Sequence, residues 1–165
     1  MKRGVVLSLL AGVAALMGRR PPRLQVAALC LREKGGAQEV LLITSLDTGR
    51  WVLPKGWPMR GRSLGGAALR EAWEEAGVNG AVAHDPVGHY GYRKRSRAGL
   101  ARRVKVAVYP VRVRRMEKGY PEEGQRKLAW VTPAKAAGMV KEPELSALLA
   151  DLPRRLAVVT TGGAT

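Results

Sequence analysis

The reading of this chain turns on 70-REAWEEAGV-78, where Glu71, Glu74 and Glu75 stand at i, i+3 and i+4. That spacing puts three carboxylates on one side of a helix. Ser63 offers a capping oxygen ahead of it, and Gly77 a left-handed stop behind it. Leu64, Ala67, Ala68 and Ala72 give an apolar side of mostly small residues. The pattern predicts a helix running to about Ala76 and packed closely on a sheet. The stripe has a cost: like charges at this spacing repel, and near a helix C-terminus the macrodipole disfavours them. Arg70 offsets part of it as an i,i+4 partner of Glu74. Two readings remain open for the stripe, a solvated helix face and a site for a hard cation.

Upstream, Asp47-Thr48-Gly49-Arg50 reads as a turn and Trp51 to Leu53 as a short strand. Pro54-Lys55-Gly56-Trp57-Pro58 reads as a stiff, irregular loop whose carbonyls can face the glutamate helix. LQVAALCL (24–31) and EVLLITS (39–45) are buried strands separated by a loop at Lys34 to Gln38. Downstream, HYGYRKR (89–95) forms a strand leading into a basic loop. In ARRVKVAVYPVRV (101–113), Val104, Val106 and Val108 alternate with Arg103 and Lys105. LAWVT (128–132) is a last strand. Thr132-Pro133 opens a helix to about Val140, Glu142 to Leu152 forms another, and residues 157–165 are a loose tail. Helices and strands mix irregularly, which predicts one α/β domain with a mixed sheet between helices. The boundaries are an N-terminal extension over 1–22, the domain over 23–152 and a tail over 153–165.

A hard divalent ion answers the cost of the stripe. Mg²⁺ takes oxygen ligands, keeps several waters and bridges to phosphate. It would also supply the Lewis acid for phosphoanhydride cleavage.

With these residues in view, the chain resembles the Nudix hydrolases, whose box is written G-x5-E-x7-R-E-U-x-E-E-x-G-U. Gly56, Arg70, Glu71, Glu74, Glu75, Gly77 and Val78 stand at the required offsets. Ala72 takes the first aliphatic position, and Arg62 replaces the first glutamate. The resemblance implies a Nudix-like α/β/α sandwich and a site for Mg²⁺, with Mn²⁺ as the alternative ion. It implies Glu71, Glu74 and Glu75 as metal ligands, one of them or a water they orient acting as base. It further implies a ligand carbonyl from Lys55 or Gly56, and Arg70 as the side chain that holds Glu74. Glu122 or Glu123 is a candidate further carboxylate, and a solvated turn is the competing reading. RWVLPKGWPMRGRS (50–63) is similar to the branch containing diphosphoinositol polyphosphate and dinucleoside polyphosphate phosphohydrolases.

The 29 Lys and Arg exceed the 13 Asp and Glu by 16, which favours anionic partners. Lys55, Arg50, Arg93, Arg95 and Arg103 are the expected substrate-binding cations, the last three from a basic cluster over residues 93–105. The two histidines, His84 and His89, lack a partner pattern and read as structural. Cys30, the single cysteine, excludes an intrachain disulfide and reads as a buried small hydrophobe. The apolar run from Val5 to Met17 follows a basic start, as in a secretory signal, and Arg19 and Arg20 follow it. Cytoplasmic retention is the expectation over export through an N-terminal signal, with contact to a membrane surface through residues 5–17 as a further alternative. The expected function is Mg²⁺-dependent hydrolysis of a phosphate-rich small molecule, a dinucleoside polyphosphate or a diphosphoinositol polyphosphate. The alternative is a weakly catalytic module that binds RNA or nucleotides.

Overall fold

The computed structural model describes residues 21–161, so the apolar run at 5–17 lies outside the described residues. Strand β1 (Arg23–Lys34) is the spine of an eight-stranded mixed sheet. It turns through Gly35 and Gly36, both with positive φ, into β2 (Ala37–Thr44), and Lys34 pairs directly with Ala37. A two-residue turn with positive φ at both positions matches the natural twist of a hairpin, and glycine adopts it without strain. β2 then pairs with β3 (Trp51–Val52) on part of its length and with β8 (Leu128–Val131).

On its same edge, nearer the start of the strand, β1 takes β4 (Lys55–Gly56): Val26 pairs with Gly56 and Ala27 with Lys55. The loop expected to be irregular thus holds two residues of strand. Along its other edge β1 runs parallel to β7 (Ala101–Met116), from Arg23 opposite Val104 to Leu31 opposite Arg112. β7 is long enough to carry two partners. β6 (Gly88–Arg95) pairs with its first half and β5 (Val78–Val82) with its last. β5, VNGAV, was not anticipated, because its Asn and Gly break the alternation that marks a strand. It forms because the edge of β7 offers unpaired backbone groups, and it does so through a bulge at Asn79 and Gly80.

Helix α1 (Leu64–Ala76) covers one face of the sheet. Ala67, Ala68, Ala72 and Ala76 are fully or almost fully buried against Val26, Ala28, Cys30, Ala107 and Val111. Its caps follow the expectation: Ser63 Oγ accepts from Gly66 N at 3.0 Å, and Gly77 sits at φ 69°. The opposite face lies under α2 (Pro133–Met139) and α3 (Pro143–Ala150), where Leu145, Leu148 and Leu149 meet Leu29, Leu42 and Val106. Helices on both faces of a mixed sheet make the expected α/β/α sandwich. One correction concerns the C-terminus. Helix α4 (Leu152–Thr161) continues through 157–161, where a loose tail was expected, and its Leu152 and Leu156 recur at helical spacing and pack into the second core. None of the described helices is long and apolar enough to cross a membrane.

Candidate active site

β4 brings the glutamate helix and the sheet together. The carbonyl of Pro54 accepts from Ala28 N at 2.9 Å, so the backbone at Lys55 and Gly56 is fixed onto β1. Gly56 then lies against α1 so closely that any Cβ there would run into the Glu71 carboxylate. A glycine at the start of the box leaves the Glu71 carboxylate its place against this backbone. The Glu71 carboxylate makes no hydrogen bond or ion pair with a described residue. Burial, with Glu74 and Glu122 nearby, holds its pKa above the usual carboxylate range.

Glu75 is 9% exposed. Its Oε2 accepts from Lys55 N at 3.1 Å and its Oε1 from Arg126 Nη2 at 3.1 Å. Burial pushes its pKa up to about 7, against the pull of Arg126 and of the Lys55 N–H. Arg126, whose side chain is 9% exposed, also donates to Glu122 Oε2 at 2.7 Å and to the Thr44 carbonyl at 2.9 Å. It is a fixed guanidinium between two carboxylates. Glu122 N donates to the Glu74 carbonyl at 3.0 Å, which satisfies one of the free carbonyls at the end of α1. Glu123, by contrast, turns away to accept from Gly119 N on an exposed turn.

Glu71, Glu75, Lys55 and Arg126 line one cleft of about 510 Å³, together with Trp57 and Lys94. Burial lowers the Lys55 pKa, and its Nζ stands 5.3 Å from the ring centroid of Tyr92. The Tyr92 hydroxyl donates to the buried Gln25 at 2.6 Å. Lys94 Nζ and Arg23 Cζ stand 5.5 and 4.5 Å from the centre of the Trp57 ring.

Not every expected side chain arrives here. Glu74 does not line the cleft; its Oε1 is taken by Arg70 Nε at 2.6 Å. Arg50 reaches Glu142 at 3.5 Å instead of the cleft. Arg93 and Arg103, opposite one another across β6 and β7, line a separate groove with His89 and Lys105. Strand alternation is the reason: Tyr92 and Lys94 share one face of β6, so Arg93 points to the other. Arg95 is exposed and lines neither concavity. Lys94 reads in the sequence only as one member of the basic cluster over residues 93–105, and Arg126 was missed. The period of two along HYGYRKR carried a signal for Lys94; nothing local distinguishes Arg126 from other arginines in polar turns.

Among the described residues no three Asp, Glu, His or Cys side chains gather into a complete metal cage. The donor set still fits an ion that keeps most of its waters and needs one or two carboxylates. Glu71 has an unpaired carboxylate, Glu75 lies beside it, and both are held above their usual pKa by burial.

The fold sets a glutamate helix beside a cleft that Lys55, Lys94 and Arg126 also line. The chain belongs to the Nudix family: the profile of the NUDIX domain matches residues 21–152. Its enzyme class is that of the Nudix pyrophosphohydrolases. It is 30% identical over 125 residues to "Nudix hydrolase 16, mitochondrial" of Arabidopsis thaliana, covering 72% of this chain and 67% of that one. It is 39% identical over 56 residues to human "Diphosphoinositol polyphosphate phosphohydrolase 3-alpha", a match spanning 34% of each protein. Among solved structures, a C. elegans Ap4A hydrolase superposes with a TM-score of 0.59 at 20% identity, covering 82% of this chain and 99% of that one. The NUDIX domain of Shewanella oneidensis NrtR, complexed with ADP ribose, gives 0.61 at 18% identity over 88% and 97% of the two chains.

Proposed function

We propose that this chain hydrolyses a phosphoanhydride bond in a dinucleoside polyphosphate or a diphosphoinositol polyphosphate, with Mg²⁺ as cofactor and Mn²⁺ as its substitute. The observation that carries the proposal is the pairing of Glu71 and Glu75, both with raised pKa, in one cleft with Lys55, Lys94 and Arg126. Carboxylates held above their usual pKa by burial suit cation binding and proton transfer. The cations facing them suit a substrate of several phosphates. The names of the human and C. elegans relatives point to the same two substrate classes.

Glu71 and Glu75 would hold the ion beside the Gly56 backbone. When bound, the ion supplies Lewis acidity at the phosphorus under attack. One of these glutamates, or a water they orient, would take the proton of the attacking water. Lys55, Lys94 and Arg126 would neutralise charge on the phosphates as the bond breaks. Arg70 would hold Glu74 in place by the ion pair at 2.6 Å. The single, buried Cys30 is in keeping with a reducing, cytoplasmic setting.

A substrate panel with Mg²⁺ tests the proposal: diadenosine polyphosphates, a diphosphoinositol polyphosphate, sugar nucleotides and nucleoside triphosphates, each assayed for product. Glu75→Gln is expected to lower kcat by a factor of about 10²–10⁴ with the fold intact. Wild-type turnover in that variant would refute the assignment of Glu75. Tight ligand binding with no product from any substrate would favour the binding-module reading.

A further inference from the structure

We propose that a second anion site lies at the far end of β1 from the glutamate cleft, shaped for a nucleoside di- or triphosphate; it goes beyond the phosphohydrolase reading and does not depend on it. Strands β1 and β7 form the only parallel ladder among the described strands. Their pairing stops at Leu31 opposite Arg112, yet both run on, β1 to Lys34 and β7 to Met116. Each follows its outer partner: Lys34 stays opposite Ala37 on β2, and Met116 opposite Val78 on β5. The two strands therefore part at their carboxyl ends, where a wedge of about 710 Å³ opens. Open sheets take ligands in such a place, outside the carboxyl ends of diverging strands.

The wedge is lined by Arg32, Arg112, Arg114 and Arg115 against a single acid, Glu33. Two of these arginines are partly engaged. Arg32 donates from Nε to Glu39 at 2.6 Å and lies over the Trp130 ring, with Cζ 4.2 Å from its centroid. Arg115 pairs with Glu117 at 2.8 Å. Arg112 and Arg114 are exposed and form no ion pair with a described residue. Arg114 is the extra residue of the bulge on β7: Val113 stands opposite Gly80 and Arg115 opposite Asn79, which leaves Arg114 without a partner across the ladder. Bulges concentrate beside sites, where they re-aim a side chain.

Charge and shape together select the ligand. One glutamate does not balance four guanidinium groups, and their forks match phosphate oxygens two at a time. Along the parted edges of β1 and β7, backbone groups have no strand partner and stay available to a ligand. Leu31, Val113, Met116 and Trp130 add apolar surface to the same wedge, and Met116 is 38% exposed. An inorganic phosphate gains nothing from that surface, whereas the base and ribose of a nucleotide do, and the volume is that of a small-molecule site. The cleft with Glu71 and Glu75 shares no lining residue with the wedge. It lies about 20 Å away along β1, measured from Gln25 to Leu31.

The test is ADP binding to the full chain by titration calorimetry in EDTA, which withholds any divalent ion. Arg112→Ser/Arg114→Ser removes charge from the wedge and Lys55→Ser/Lys94→Ser from the cleft. Lys135→Ser/Lys141→Ser removes the same charge from exposed positions that line neither, and thermal unfolding confirms the fold of each. The wedge variant is expected to bind ADP about ten-fold or more weakly than the Lys135/Lys141 control, and the cleft variant to bind it like the control. Met116→Ser is expected to weaken ADP binding about three-fold and to leave inorganic tripolyphosphate binding unchanged. ADP left unbound by the wild type, or bound by the wedge variant at the control's strength, would overturn the site. A larger loss in the cleft variant than in the wedge variant would do the same. Tripolyphosphate bound by the wild type as tightly as ADP, with Met116→Ser neutral for both, would overturn the nucleotide as its ligand. Failure of every substrate in the panel, with ADP still held in the wedge, would overturn the phosphohydrolase reading alone.

Discussion

At the scale of single residues, the site depends on carboxylates kept from water. Glu75 has a folded pKa of about 7, above the 4.5 of an unperturbed side chain. Between those values the folded chain binds more protons than the unfolded chain, so stability falls as pH rises through this window. Glu71 is shifted in the same direction. The metal-free protein is therefore expected to lose up to about 3 kcal/mol between pH 4.5 and 7, read as a falling midpoint in denaturant titrations. Glu75→Gln should flatten that slope, and Mg²⁺ should oppose it. Arg126 is the counterweight: it and Glu75 have side chains only 9% and 12% exposed. Arg126→Ala leaves a buried carboxylate without its partner, and a loss of about 3–5 kcal/mol is expected in the same titration. The box positions Gly56, Glu71 and Glu75 were legible in the sequence, because their spacing is set within one loop and one helix. Arg126 was not, because its partners Glu75 and Thr44 lie 51 and 82 positions away.

At the scale of elements, α1 could be read almost to the residue, since its signals are local. Ser63 supplies the cap acceptor and Gly77 the left-handed residue. Ser63→Ala is expected to cost about 1 kcal/mol with kcat unchanged, measured by unfolding and turnover in parallel. Gly77→Ala should cost more. Beyond the strained φ, its Cβ would stand 2.5 Å from both the Glu117 carbonyl oxygen and the Tyr120 ring. That crowding presses on the loop over residues 117–127, from which Glu117 and Glu122 reach α1, so turnover should fall with stability. Strands were legible where they alternate or run apolar, as in β1, β2 and β7. β4 and β5 were not, because their residues become strand only by pairing with β1 and β7.

At the scale of the whole molecule, the net charge of +16 acts as a field. A polyanionic substrate should be drawn in at low salt and less so as the Debye length shrinks from about 10 Å at 0.1 M to about 3 Å at 1 M. The expected outcome is a KM that rises about ten-fold or more between 0.05 and 0.5 M NaCl with kcat nearly constant, measured on the preferred substrate. The sequence by itself determined the family, the glutamate helix with both its caps, the buried strands and the sign of the charge, because each of these is written in local spacing or in composition. Only the tertiary structure decided which cations face the carboxylates. Strand alternation turned Lys94 into the cleft and Arg93 out of it, and a distant turn delivered Arg126 to Glu75. Contacts between residues far apart in the chain depend on how strands pair and which face of the sheet a side chain takes, and a linear pattern does not encode these until the sheet has formed.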